Sequence, residues 1–156
     1  MSEVEKRLEE AGLCLPPPPP PGGMYTPVRP FGTRCAYLSG VACNMQGGEA
    51  FEGKVGAELT LEQAKKAAEQ CALNALAVLK ANIGDLDRVS SVVKLLGFVA
   101  SANDFYAQPQ VMNGASELLC LAFGDSVGKA ARSAIGVNVL PGNVPVEIEL
   151  IVELRD

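Results

Sequence analysis

Arg132, Glu147 and Glu149 are the residues whose types and spacing best suit chemistry. The guanidinium of Arg132 is a planar fork of donors that fits a carboxylate with two bonds at once. It stands at the mouth of a strand, between the Gly128 loop and an apolar run, and taken alone it is also what a surface arginine looks like. Glu147 and Glu149 are two residues apart, and strand side chains repeat every second residue, so both carboxylates share one face. With the arginine on the neighbouring antiparallel strand, the three would form an acid/base site. The same two glutamates are equally what a solvated edge strand carries to discourage aggregation. Tyr25 follows Gly22-Gly23, where a loop can bring a phenol to a pocket or lay its ring over the sheet edge.

The chain of 156 residues has no histidine, so proton transfer falls to carboxylates, tyrosine or water, and the commonest transition-metal ligand is missing. With 13 Lys and Arg against 18 Asp and Glu, the net charge is −5. That balance argues against nucleic acid as the main partner. The five cysteines (Cys14, Cys35, Cys43, Cys71, Cys120) form no CxxC pair and read as reduced thiols, each a small buried hydrophobe. No stretch approaches the roughly 20 apolar residues of a membrane span. The charged start at 3–7 is unlike a targeting peptide, so a cytoplasmic protein is the expectation.

These candidates need elements to position them. Residues 2–11 read as a short helix capped by Ser2 and ended by Gly12, followed by the unbroken proline run 16–21. The run reads as a stiff spacer, the alternative being an SH3-type ligand. Residues 34–39 read as a strand closed by Gly40, and 46–49 as a turn. Thr60 with Gln63 makes a capping box for a long alanine-faced helix that Gly84 stops. Residues 88–99 suit a buried strand. Asn103 or Asp104 would cap a second helical region, interrupted near Pro109 and continuing to Phe123, and Gly124 and Gly128 frame a loop. Strands at 133–140 and 144–154 flank the Pro141-Gly142-Asn143 turn. The order implies an α+β fold, a mixed sheet with two helices on one face, whose other face a second subunit would cover.

Several segments together resemble the RidA/YjgF family of reactive intermediate deaminases, whose older label is L-PSP endoribonuclease. They are Tyr25-Thr26-Pro27-Val28, Tyr37-Leu38-Ser39-Gly40, Asn74-Ala75-Leu76, the stretch from Ile83 through Val89, and Asn113. Most specific are Arg132-Ser133-Ala134, Leu140-Pro141 and Val146-Glu147-Ile148-Glu149. The likeness runs from about Gly22 to Leu154. It implies residues 1–21 as an N-terminal helix and spacer ahead of a family domain at 22–156. It also implies a chorismate-mutase-like fold and a homotrimer whose sheets form a central barrel, with sites in clefts between subunits.

Residue by residue, the resemblance implies that Arg132 binds the substrate carboxylate and Glu147 holds the attacking water. Tyr25, Ser39, Gly40 and Asn113 would line the pocket, and Glu149 would be structural. Ala134 stands where many members carry a pocket cysteine, and Val41 where many carry glutamine. The implied reaction is hydrolysis of 2-imino or enamine acids, such as 2-aminoacrylate, to 2-keto acids and ammonia, with no metal or organic cofactor required. Two alternatives are a trimeric protein that binds keto acids without turnover and, against the acidic charge, an endoribonuclease.

Overall fold

The computed structural model describes residues 1–44 and 50–155, and the turn read at 46–49 lies outside the described residues. The long helix, α2 (Leu61–Ile83), starts as its capping box requires. The Gln63 amide donates to Thr60 Oγ1 and the Thr60 amide donates to Gln63 Oε1, so two donors the helix cannot satisfy itself are paired. It stops at Gly84, whose φ of +86° suits glycine. Ala64, Ala67, Ala68, Ala72 and Ala75 are fully buried along it, and such small side chains let neighbours come close. The neighbour is α3 (Gln108–Phe123), where a Cβ on Gly114 would stand 2.1 Å from the Lys65 carbonyl oxygen of α2.

Both helices lie on one face of a five-stranded sheet, a mixed α+β architecture. Its strands are β1 (Val28–Phe31), β2 (Cys35–Ala42), β3 (Val89–Ala100), β4 (Ala131–Val137) and β5 (Val146–Leu154), ordered β1-β2-β5-β3-β4. Only β3 and β4 run parallel, joined by the α3 crossover that a parallel pair needs. Val146, Ile148, Leu150 and Val152 alternate into the core, and Glu147, Glu149, Ile151 and Glu153 point half-buried to the other face. On that other face Tyr37 and Ile135 are exposed.

The structure corrects several expectations. β4 is not the antiparallel neighbour of β5, because β3 lies between them and pairs with both. The apolar pattern of β3 suits a central strand buried between neighbours on each side, so the Pro141–Asn143 turn does not close a hairpin. β4 begins at Ala131, which puts Arg132 inside the strand rather than at its mouth. β2 does not end at Gly40; it continues to Ala42 through a bulge between Leu38 and Val41. Neither Asn103 nor Asp104 caps α3, and Pro109 does not interrupt it. The proline sits in the first turn, where its missing N–H has no intrahelical acceptor to lose. Between Gly124 and Gly128 the chain makes one helical turn, α4 (Asp125–Gly128), rather than an open loop. All five cysteines are free, but only Cys43 and Cys71 are buried, and Cys14 is exposed.

The N-terminal helix, α1 (Glu3–Glu10), has Ser2 at its cap, in a box with Glu5. It docks through Val4 and Leu8, which are buried, and the amides of Glu3 and Val4 donate to the carboxylate of Asp87 at 2.8 and 3.1 Å. An anion held at a helix start is favourable because the free N–H groups and the helix dipole both point to it. Glu5 also pairs with Lys80 of α2. No helix among the described residues is long and apolar enough to cross a membrane.

Candidate functional site

β1 pairs with β2 as far as Val28 opposite Leu38, and the Ser39 amide, donating to the Pro27 carbonyl, extends that contact by one residue. There the bulge adds a residue to the strand and re-aims Ser39 and Gly40, as bulges beside functional sites commonly do. A cleft of about 480 Å³ opens at this edge, lined in part by Tyr25, Ser39, Gly40 and Glu147, a volume in the range of small-molecule sites. Glu147 comes from β5, directly opposite Ala42 of β2. A Cβ on Gly40 would lie 2.0 Å from Glu147 Oε1, so this carboxylate rests in space that only glycine leaves open.

Two side chains one turn apart on α2 hold the backbone around Glu147. The Cys71 thiol, pushed well up by burial, stays protonated and donates to the Val146 carbonyl at 3.3 Å. Asn74, fully buried, donates to the carbonyls of Ala42 and Cys43 at 2.8 and 3.2 Å, and its own oxygen accepts from Gln70. The strand end opposite Glu147 is thereby fixed with every polar group of Asn74 used.

The polar groups of the cleft differ in how free they are. Ser39 Oγ donates to the Thr26 carbonyl at 2.8 Å, and the Asn44 amide closes a ring with the Phe51 backbone. Tyr25 Oη accepts from the Gly22 amide at 3.1 Å, which leaves its proton to donate. Glu147 accepts no hydrogen bond from any described protein group. Burial first, and then the charge of Glu149, raises its pKa above the ordinary carboxylate range. Glu149 differs, since the Tyr37 phenol donates to its Oε2 at 2.6 Å. Its carboxylate is engaged on the sheet face.

Arg132 is elsewhere. It pairs with Leu95, a core-facing position of β3, and shares its face with Ala134, which packs on the core opposite Gly97. The arginine therefore points to the helix side, where its Nη1 donates to Asn113 Oδ1 at 2.9 Å and to Ser116 Oγ at 3.0 Å. Both partners lie on α3, so one nitrogen is clamped and the rest of the fork stays open to a ligand. Arg132, Asn113 and Ala134 thus form one cluster, and Tyr25, Ser39, Gly40 and Glu147 another. They sit on opposite faces of the sheet, and one chain does not bring them together. Among the described residues, no group of three or more Cys, Asp or Glu converges to hold a metal.

The sequence and the fold match a known set of proteins. A family model described as "YjgF/chorismate_mutase-like, putative endoribonuclease" matches residues 5–154. The chain belongs to this YjgF/RidA-like family. Protein TCP17 of Trypanosoma cruzi is 39% identical over 153 residues, covering 98% of this chain and 95% of that one. The crystal structure of Atu1372 from Agrobacterium tumefaciens, of unknown function, aligns with a TM-score of 0.88 at 40% identity, over 97% of this chain and 92% of that one. RidA from the Antarctic bacterium Psychrobacter sp. PAMC 21119 aligns with a TM-score of 0.61 at 26% identity, over 88% and 94%.

Within the YjgF/RidA-like frame, reading the sequence missed two contributions to the cleft. Pro19, Pro20 and Pro21 line it, although the run reads as a spacer. Nothing in a proline run says what it leans on. Asn74 was detectable in principle, because an asparagine amid the buried alanines of a helix must find polar partners.

Proposed function

We propose that the protein hydrolyses 2-imino or enamine acids to 2-keto acids and ammonia, at a site completed between two copies of the chain. The observation that carries this reading is the state of Glu147. It is a half-buried carboxylate without a hydrogen-bond partner among the described residues, raised in pKa, at the wall of a small-molecule cleft. Arg132 supplies the complementary group, a guanidinium already oriented by Asn113 and Ser116.

In this reading Arg132 of one copy binds the substrate carboxylate beside Glu147 of another. A water hydrogen-bonded to Glu147 attacks C2 of the imine. The water's proton passes to Glu147, and the C=N electron pair moves to nitrogen, which takes a proton from solvent. The carbinolamine then collapses: its hydroxyl gives its proton to solvent as the C2–O bond becomes a carbonyl, the C2–N bond breaks, and Glu147 returns its proton to the departing ammonia. A carboxyl group that first accepts and then donates works best with its pKa moved toward the working pH, the direction Glu147 is shifted. Fixing the substrate by its carboxylate supplies orientation, which is most of what an already electrophilic imine needs.

The test is keto-acid release from a freshly generated 2-imino acid. Arg132→Ala is expected to lower kcat/KM by about 100-fold or more. Equal rates for the variant and the parent would sink the reading. Thermal stabilisation by a 2-keto acid with no turnover would replace it with a binding protein.

A further inference from the structure

We propose that Pro19, Pro20 and Pro21 are the specificity wall of the Glu147 cleft, restricting it to 2-imino and 2-keto acids with apolar side chains. The proposal rests on the preceding reading of the cleft as a site for such acids.

Three observations carry it. First, these prolines line the same cleft as Glu147, and Pro27, Val41 and Val78 continue the apolar lining. A three-carbon acid would occupy only a fraction of the roughly 480 Å³, so the remaining surface is free to meet a longer side chain. Second, proline has no N–H, and the next amide, that of Gly22, is spent on Tyr25 Oη. The wall therefore presents ring carbons and no free backbone donor, and a hydroxylated side chain would trade water for a surface that cannot donate to it.

Third, the wall is held in place. A proline run is stiff on its own. Upstream, α1 is fixed by buried Val4 and Leu8, by the Asp87 carboxylate on its first amides, by the Glu5–Lys80 pair and by Arg7 donating to the Ala122 carbonyl. Downstream, the chain enters β1, and the Ser39 amide donates to the Pro27 carbonyl at 2.9 Å. Pro16 and Pro18 line a separate groove against α1 and α2, so the run acts as a partition with its last three rings on the substrate side. A wall anchored at both ends can discriminate, because it does not yield to the wrong ligand.

The experiment measures affinities of the full-length protein for 4-methyl-2-oxopentanoate, pyruvate and 3-hydroxypyruvate by calorimetry. Values of kcat/KM for the corresponding 2-imino acids are measured in parallel. The comparison variants are the triple Pro19→Gly, Pro20→Gly, Pro21→Gly and, as a second route that leaves the rings intact, Asp87→Ala, which unpins α1. The parent is expected to favour the branched apolar acid by about tenfold or more over each of the others. The triple variant, checked for an intact fold by circular dichroism, is expected to bring the three within about threefold, with Asp87→Ala moving the same way. If the triple variant fails to fold, Asp87→Ala alone decides. Unchanged ratios in a folded variant, or a parent that binds the hydroxylated acid as well as the branched one or binds none of the three, overturn the proposal. Discrimination in binding without turnover supports the wall and removes the deaminase reading. Turnover with ratios that the variants leave unmoved does the reverse.

Discussion

Arg132 and Glu147 face opposite sides of one sheet, and β3 runs between their strands. If the two join across a boundary between copies, inactive variants can repair each other. Arg132→Ala mixed with Glu147→Gln at equal ratio, by co-expression or co-refolding, is expected to regain activity at roughly a quarter of the sites, those that take an intact residue from each parent. Each variant alone stays inactive. A mixed sample as inactive as its components would place the complete site within one chain.

Gly40→Ala separates activity from stability. The new Cβ meets the far end of a flexible side chain, the Glu147 carboxylate, which can swing away at little cost to the fold. Chemical denaturation is expected to change by less than about 1 kcal/mol. The displaced carboxylate would lower kcat by about 10- to 100-fold, read in the keto-acid assay.

Gly114→Ala has the opposite character. Its Cβ would meet the Lys65 carbonyl oxygen, a backbone atom in the middle of a packed helix that cannot step aside. The expected loss is about 1–3 kcal/mol. Thermal melts should register this as a fall of roughly 2–4 °C for each kcal/mol.

Glu147 links stability to pH. Its pKa is raised on folding by burial and then by Glu149, so folding is least opposed at acid pH, where the group is protonated in both states. Stability is lost as the pH climbs from the ordinary carboxylate value through the raised one. Glu147→Gln removes that loss. The variant's Tm is expected to exceed the parent's at pH 7–8, with the gap closing below about pH 4. A gap that widens toward acid pH would contradict the shift.

Glu5 shows the reverse sign. Its hydrogen bonds from Lys80 and from the Ser2 amide lower its pKa from 4.5 to about 2. The stability it contributes is complete above 4.5 and is lost as the pH falls toward 2. Glu5→Gln is expected to cost about 1 kcal/mol at neutral pH, much of it from the weakened capping box, since the pair with Lys80 is partly open to solvent. Urea titrations at pH 7 and pH 3 should show the difference shrinking.

Much of the fold was legible because local chemistry and burial agreed. The Thr60–Gln63 box, the alanine face of α2, the Gly84 stop and the alternation from Val146 to Val152 each carry their own signal. Strand order carries none. Whether β4 pairs with β5 or β3 depends on which strand needs two neighbours, and the tight turn at Pro141 points the wrong way. The candidate site divides likewise. Residue types identified Arg132 and Glu147, but their opposite faces follow from the sheet order, and the proline wall follows from where α1 docks.

The bulge in β2 also constrains how the chain can change in length. Ala36 and Leu38 face the core, and so do Val41 and Cys43, although two residues rather than one separate the pairs; the bulge absorbs the extra one. Deleting Ser39 or Gly40 would leave a regular ladder with all four residues still facing the core, but it would remove the bulge that shapes the strand edge at the cleft. Substitutions there change what the cleft meets, whereas a deletion removes the bulge and leaves the core face of the strand intact. Natural variants that keep the cleft are therefore expected to keep both positions and to keep glycine at position 40.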